Sequence, residues 1–328
     1  MIEGHGDDLY RYKNIKMNFS SNIYNGTDLS ALEAYLSSRL GVVRSYPEPS
    51  AASLERMIAS ESGISPNEVL VTSGAVDAIY LIAQAYRHAG TCRILQPTFR
   101  EYEDACRVFG YQEREDGALC WLCNPNNPTG SVLTPSEVMS LAACHQLLIV
   151  DQSYEDYTMA PLLSPEEAVK CSNIILLHSM TKRYAVPGLR LGYITAPAAI
   201  IGRLRGQYRP WAINALSLEA GKWLVGQGKT AIPDLPSYMA ETQRLRSMLN
   251  GIEGIETQDT QANFFLCAIK TATAGELKEY LALEHGILIR DASNFTSLTP
   301  HHFRIATQSP TENDALVAAI RFFLNKQQ

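Results

Sequence analysis

A chain of 328 residues, 46% hydrophobic and 19% charged, can bury a large core; its length suggests two domains, and its composition excludes fibrous or disordered classes. The net charge of −6, with no dense Lys/Arg run, argues against a nucleic-acid partner. No apolar stretch reaches membrane-spanning length, and MIEGHGDDLYRYKNIKMNFS lacks the apolar core of a secretion signal, so cytoplasmic residence is expected.

In chain order, a helix is expected near 29–40, then one in SLERMIASES, where Leu54, Met57 and Ile58 share a face. EVLVTSG reads as a strand ending in a small-residue turn, and AVDAIYLIAQAYRHAG as a helix stopped by Gly90. CRILQPT, ALCWLCNP, QLLIVD and NIILLHS read as strands. Their apolar runs are continuous, as parallel strands covered on both faces require. Between the second and third of these, Thr134-Pro135 opens another helix, with threonine capping and proline in the first turn. GLRLGY, after NIILLHS, reads as a returning strand, and Arg203, Arg205 and Arg209 as a solvated helix face. Helical periodicity dominates 213–250. ANFFLCAIK (strand), AGELKEYLALEHG (helix), ILIRDAS and HFRIAT (strands) and a final helix from PTENDALV follow. This is an α/β grammar: a mainly parallel mixed sheet, then a smaller α+β unit. The expected division is 1–45 packing with the small domain, 46–225 as the large domain and 226–328 as the small one.

Seven cysteines are scattered along the chain. Cys120 and Cys123 have CxxC spacing but no second pair to complete a zinc site, and they lie in an apolar run. They read as core thiols, and no metal site is expected.

Ligands of open α/β sheets bind beyond the carboxyl ends of the strands, so the residues following each strand matter most. After VLVT comes Ser73-Gly74-Ala75-Val76, whose small residues and helix start suit an anion. After RIL comes Gln96-Pro97-Thr98-Phe99, with Tyr102 three further on. After CWLC comes NPNNPTG, carrying Asn127; after LLIV comes Asp151, with Tyr154 beyond; after NIILLH comes Ser179-Met-Thr181-Lys182, with Arg190 following. Each has a plain structural reading as a turn, a cap or a core residue. Together, in this order, they collect an anion cradle, aromatics, an amide, a carboxylate, a lysine and an arginine at one sheet edge.

The set SGA, NNPTG, Asp151 with Tyr154, and SMTK with GLRLGY resembles the class I/II aminotransferase superfamily of fold-type-I enzymes that use pyridoxal 5′-phosphate (PLP). The resemblance covers nearly the whole chain and implies a role for each residue. Lys182 would form the Schiff base with the PLP aldehyde and then move protons. Asp151 would pair with the pyridine nitrogen, Asn127 and Tyr154 would hydrogen-bond the phenolic oxygen, and Tyr102 would stack on the ring. Ser179, Thr181 and Arg190, with the amides of Gly74, Ala75 and Val76, would hold the phosphate. Arg304 would grip an acidic group of the substrate, Arg290 would serve where that substrate is phosphorylated, and Tyr46 would reach the PLP phosphate of a neighbouring subunit in a homodimer.

Within the superfamily, EGHGDD, NFSSNIYNG, TKRYAVPGLRLGY and RPWAINAL resemble segments of threonine-phosphate decarboxylases, which serve cobalamin synthesis. That resemblance puts His5, Asn22, Ile23 and Tyr24 at the substrate mouth. It implies PLP-dependent decarboxylation of L-threonine O-3-phosphate to aminopropanol phosphate. An aminotransferase of the histidinol-phosphate type is the alternative, and a non-catalytic PLP- or ligand-binding protein the third. One departure stands out. Only about a dozen residues separate Gly110 from Asn124, so the crossover helix expected there has no room and this edge must be rebuilt or trimmed.

Overall fold

In a computed structural model of the chain, residues 8–228, 230–232 and 234–327 are described. The elements run β1 (Met17–Asn18), α1 (Ser30–Arg39), α2 (Ala52–Glu61), β2 (Val69–Thr72), α3 (Gly74–Ala85), β3 (Thr91–Ile94), α4 (Glu101–Val108), β4 (Gln112–Glu113), β5 (Leu119–Cys123), α5 (Pro135–Ala142), β6 (Leu147–Asp151), α6 (Pro165–Ala168) and β7 (Ile174–His178). Next come α7 (Met180–Arg183), β8 (Gly192–Thr195), α8 (Ala198–Arg205), α9 (Ala215–Gln227), α10 (Leu235–Asn250), β9 (Ile255–Thr257), β10 (Phe264–Ile269), α11 (Ala274–Tyr280), β11 (Ile287–Leu288), β12 (Arg290–Asp291), β13 (His302–Ala306) and α12 (Pro310–Gln327).

Seven strands form the large sheet in the order β2-β8-β7-β6-β5-β3-β4. All run parallel except β8, which is antiparallel to both its neighbours. Every residue of β2, β5, β6, β7 and β8 is buried, which is why these strands read as unbroken apolar runs. Ile79, Ile82, Trp121, Ile149 and Leu177 fill one face. Leu122, Val138, Leu148 and Leu176 fill the other, continued by Leu54, Ile58, Val69 and Leu218. Truncating one such side chain to alanine removes about 2–5 kcal/mol, a large share of a domain's margin. Cys120 and Cys123 are buried in β5 as expected, and all seven cysteines are free. Among the described residues no cluster could hold a metal ion, and no helix is long and apolar enough to cross a membrane. Thr134 caps α5, accepting from Glu137 N at 3.3 Å with Pro135 in the first turn.

The short connection after Gly110 is solved without a helix. Strand β4 has only two residues, and five residues, 114–118, cross from one side of β3 to the other to begin β5. The crossing presses backbone on backbone: a Cβ at Gly117 would lie 2.2 Å from the carbonyl carbon of Cys92. Ala118 N donates to Thr91 Oγ1 at 3.0 Å, and Arg114 N to Cys92 O at 2.8 Å.

The smaller sheet, β12-β13-β10-β9, is antiparallel throughout. Phe265, Phe303, Leu316 and Ile320 are in its core. The N-terminal segment divides between the two bodies. Strand β1 pairs with β11, and Phe19 bridges Leu288 O (2.8 Å) and Ala306 N (2.9 Å). Leu32 of α1 instead joins the core of α2 and α9 against the large sheet. Arg203 and Arg209 are exposed as expected, Arg209 beyond the end of α8, but Arg205 is not a free surface residue. Arg205 pairs with buried Glu55 at 2.8 Å and donates to Val69 O at 2.7 Å; Arg203 lies 4.1 Å over Tyr86. Helix α8 packs along α3 and β2, so its stems lie on protein, which periodicity alone does not reveal.

Candidate active site

Register sets the site. Cys123 of β5 lies beside Asp151 of β6, Asp151 beside Leu177 of β7, and Thr72 beside Gly192, so the residues that follow these strands emerge at one edge. They open into a cleft of about 310 Å³ whose walls include Ala75, Val76, Asn127, Asp151, Ser179, Thr181, Lys182, Arg190 and Arg304.

One end is an anion cradle. Gly74 starts α3 at φ +83, and a Cβ there would meet Arg190 Nη2 at 2.7 Å, so glycine is required by both backbone and space. Ala75 and Val76 follow in the first turn, where helix amides lack intrahelical partners. Ser179 lies immediately before α7. Thr181 Oγ1 is buried with no hydrogen-bond partner among the described residues. Arg190 sits at φ 52 and donates to Pro187 O at 3.3 Å. A buried orphan hydroxyl, open helix amides and a guanidinium form a donor set that fits a phosphate dianion.

The middle holds a buried carboxylate. Asp151 accepts from Tyr102 Oη at 2.7 Å and from Ser153 N at 2.9 Å. Burial pushes its carboxyl above the ordinary range, while these two donors pull the other way. A cationic ring nitrogen is the partner such a group suits. Tyr102 is fully buried, stacked on Trp121 at 5.4 Å, and lines the cleft. Its phenol is therefore a hydroxyl support for Asp151 as well as an aromatic wall. Tyr154 packs edge-on against Phe264 of β10 at 4.7 Å, and burial pushes its phenol up to about 12, opposed by Arg304.

The other end is a mouth. Lys182 Nζ donates to Ser21 O at 2.5 Å and lies 5.8 Å from the Tyr154 ring centre. Arg304, buried on β13, donates to Asn127 Oδ1 and to Ser20 O. Asn127 is held by a self-braced turn, in which Gly130 N donates to Asn126 O at 2.7 Å and Asn124 pairs with Leu133. The NPNNPTG stretch is thus both a tight turn and a presenter of a polar side chain. Asn22 is buried at φ 55, its amide facing Tyr154 without completing a hydrogen bond. Ile23 lines the cleft.

Two expected residues, Tyr24 and Arg290, do not line the cleft, and Tyr46 was expected at a neighbouring subunit's site rather than here. Tyr24 turns into an adjoining groove, edge-on to Tyr238 at 5.4 Å, because the chain bends away after Ile23. Arg290 does not line the cleft. It donates to Asp291 O and Asn294 Oδ1, both at 2.7 Å, and packs over Phe295, so its guanidinium braces the loop after β12. Tyr46 is 86% exposed beside Trp211 and outside this chain's cleft. His5 lies outside the described residues. Phe99, in the stretch expected after RIL, lines the cleft; the sequence reading missed Ser20, Ser21, Glu101, Cys123, Ser153 and Pro187 as cleft residues. Cys123 ends β5 and Ser153 lies two residues after β6, a signal that could have found them. Nothing local marks the carbonyls of Ser20 and Ser21.

Comparison with known proteins places these features. The model of the aminotransferase class I and II family matches residues 111–320. A putative threonine-phosphate decarboxylase of Caldanaerobacter subterraneus subsp. tengcongensis is 30% identical, over 84% of this chain and 82% of its own length. A histidinol-phosphate aminotransferase of the same organism is 29% identical, over 86% and 85%. Among solved structures, L-threonine-O-3-phosphate decarboxylase from Porphyromonas gingivalis superposes with TM-score 0.90 and 36% identity, over 94% of this chain and 99% of that one. Histidinol-phosphate aminotransferase from Sinorhizobium meliloti, in complex with pyridoxal-5′-phosphate, gives TM-score 0.85 at 18% identity, over 96% and 92%, a likeness of fold. The chain belongs to the aminotransferase class I and II family, with the PLP-transferase type I fold and pyridoxal phosphate as cofactor.

Proposed function

We propose that this PLP-dependent enzyme is a carboxy-lyase that converts L-threonine O-3-phosphate to aminopropanol phosphate, a step of cobalamin synthesis. The observation that carries the reading is Arg304, buried in the same cleft as Lys182 and Asp151, in a chain 36% identical to a decarboxylase of that substrate over 94% of its length.

When bound, PLP supplies a cationic ring that takes up the electron pair left at the substrate's α-carbon. The chain's residues do the rest. Asp151 would keep a proton at the ring nitrogen, and its burial would make that ion pair strong. The cradle of Gly74, Ala75, Val76, Ser179, Thr181 and Arg190 would hold the phosphate. Asn127 and Tyr154 would hydrogen-bond the phenolic oxygen. The Lys182 Nζ amine would anchor the cofactor and move protons at the α-carbon. Tyr154 and Ile23 line the cleft, with Phe264 packed edge-on behind Tyr154. The two reactions differ in what leaves the α-carbon, the carboxylate as CO₂ or the hydrogen for amino transfer, and the anchoring of the substrate's acidic group would decide between them. Arg304, fixed by Asn127 and Ser20, is the lever on that choice, since a shift of about an ångström changes rates by orders of magnitude. Amino transfer on histidinol phosphate is the second reading, favoured by the aminotransferase relative of 29% identity.

Three further points belong to the same proposal. The active unit is a homodimer in which exposed Tyr46, beside Trp211, reaches the partner's cradle. The chain divides at about residues 45 and 225, the second boundary supported by the separate cores of the two main sheets. The enzyme works in the cytoplasm, where its seven free thiols stay reduced.

The deciding experiment incubates PLP-loaded protein with L-threonine O-3-phosphate alone and measures CO₂ and aminopropanol phosphate. Stoichiometric release of both with no 2-oxo acid present is the expected result. No CO₂, with conversion of the cofactor to its amine form by histidinol phosphate, overturns it in favour of amino transfer.

A further inference from the structure

The stretch from Ser20 to Asn25 has no regular secondary structure, yet two of its carbonyls meet the site's cations: Ser20 O takes Arg304 and Ser21 O takes Lys182. An irregular segment that does this must be held from outside. On its upstream side Phe19 is anchored between Leu288 and Ala306. On its downstream side one buried amide grips it twice. Gln308 Oε1 accepts from Asn25 N at 2.9 Å, and Gln308 Nε2 donates to Ile23 O at 2.8 Å. These contacts reach across 283 and 285 residues.

Gln308 is itself fixed. It is 1% exposed, follows β13 by two residues, and its N donates to Asn313 Oδ1 at 3.0 Å. Asn313 Nδ2 returns a bond to Gln308 O at 3.0 Å and donates to Glu241 Oε1 at 2.7 Å. The side chain does not line the cleft. It acts on the far side of the turn, four residues along the chain from Arg304. The same chain end thus carries the guanidinium and the clamp that sets the carbonyl opposite it.

We propose that Gln308 is a positioning residue: its two-armed grip on Ile23 and Asn25 holds the Ser20 and Ser21 carbonyls against Arg304 and Lys182 and thereby sets substrate affinity. This rests on the reading that substrate enters past Ser20–Ile23. An amide suits the task because it offers a donor and an acceptor in one plane. Glutamate keeps the length and the acceptor for Asn25 but sets an oxygen against Ile23 O. Alanine removes both arms and leaves two backbone groups without their partner.

The test compares holoenzyme, Gln308→Ala and Gln308→Glu by hydrogen exchange and by steady-state kinetics. The substrate is L-threonine O-3-phosphate alone, or histidinol phosphate with 2-oxoglutarate, according to which the wild type turns over. Gln308→Ala should raise KM about tenfold with kcat within about threefold, and speed exchange at 21–26 about tenfold, as loss of two buried hydrogen bonds implies. Gln308→Glu should give an intermediate rise in both, and PLP retention should stay as in wild type. Unchanged exchange at 21–26 overturns the proposal. So does loss of protection spreading through β13 and α12, the mark of a merely structural residue. Should Gln308→Ala not fold, Gln308→Glu carries the same two readouts. If the wild type turns over neither substrate, the proposed function fails by itself, and exchange still decides the clamp.

Discussion

The two ends of the cleft are built in opposite ways. The cradle is local: Gly74, Ala75 and Val76 open the helix after β2, and Ser179, Thr181 and Lys182 open the turn after β7. Both hang from strands of one sheet, with β8 between them. The mouth is long-range. Lys182 meets Ser21 across 161 residues, Arg304 meets Asn127 across 177, and Arg304 meets Ser20 across 284. A site end carried on buried strand ends is rigid and tolerates little change. A site end assembled from an irregular segment, a turn and a strand of another sheet can shift by fractions of an ångström while the cofactor end stays put. That division lets one scaffold keep its cofactor and alter its substrate.

The comparison can be broken or sharpened by substitution. Lys182→Ala removes a group both ends share: turnover should drop by about 10⁴-fold or more, with loss of the bound cofactor's visible absorbance. Surviving turnover would sink the assignment. Asp151→Asn should lower kcat by about 10²–10³-fold while PLP stays bound, read by single-turnover kinetics on the loaded enzyme. At the mouth, Arg304→Lys loses the planar fork and should raise KM for an acidic substrate about 10–100-fold, leaving the PLP dissociation constant within about threefold. At the cradle, Thr181→Val should do the reverse: PLP binding weakens about 3–10-fold by equilibrium dialysis, and KM at saturating PLP is unchanged. If Arg304→Lys loosens PLP, or Thr181→Val alters substrate KM, the two ends are not separable.

The smallest effect concerns the layer behind α7. Burial, reinforced by Glu155 and opposed by Arg183, pushes the Asp156 carboxyl up to about 6. Between about pH 4 and 6 the folded chain then holds a proton that the unfolded chain has released. Stability therefore falls as pH rises through that window and is level above it. Asp156→Asn should flatten that slope in thermal melts, by no more than about 3 kcal/mol, without touching either end of the cleft. A slope unchanged by the substitution would remove Asp156 as its cause.

Legibility follows the same division. The parallel strands were readable because burial on both faces leaves continuous apolar runs, and Thr134-Pro135 because a cap is a local bond. Gly74, Asn127, Asp151, Thr181 and Lys182 were readable because each lies within a few residues of a strand end, where α/β sheets collect ligands. Arg290 braces its own loop and does not line this cleft, and a strand-end arginine looks alike in sequence in either position. Arg205 was misread because its partner, Glu55, lies 150 residues away.

By itself the sequence determined the sheet, the cofactor and most of the strand-end residues that line the cleft, because periodicity, caps and strand-end motifs act over a few residues and report local physics. Only the tertiary structure decided that Ser20 and Ser21 offer carbonyls, that Tyr24 faces away, that five residues cross β3 over Gly117, and that Gln308 holds the mouth. Those contacts join segments with no local signature, and their geometry is set by packing of whole elements, which no short window of residues encodes.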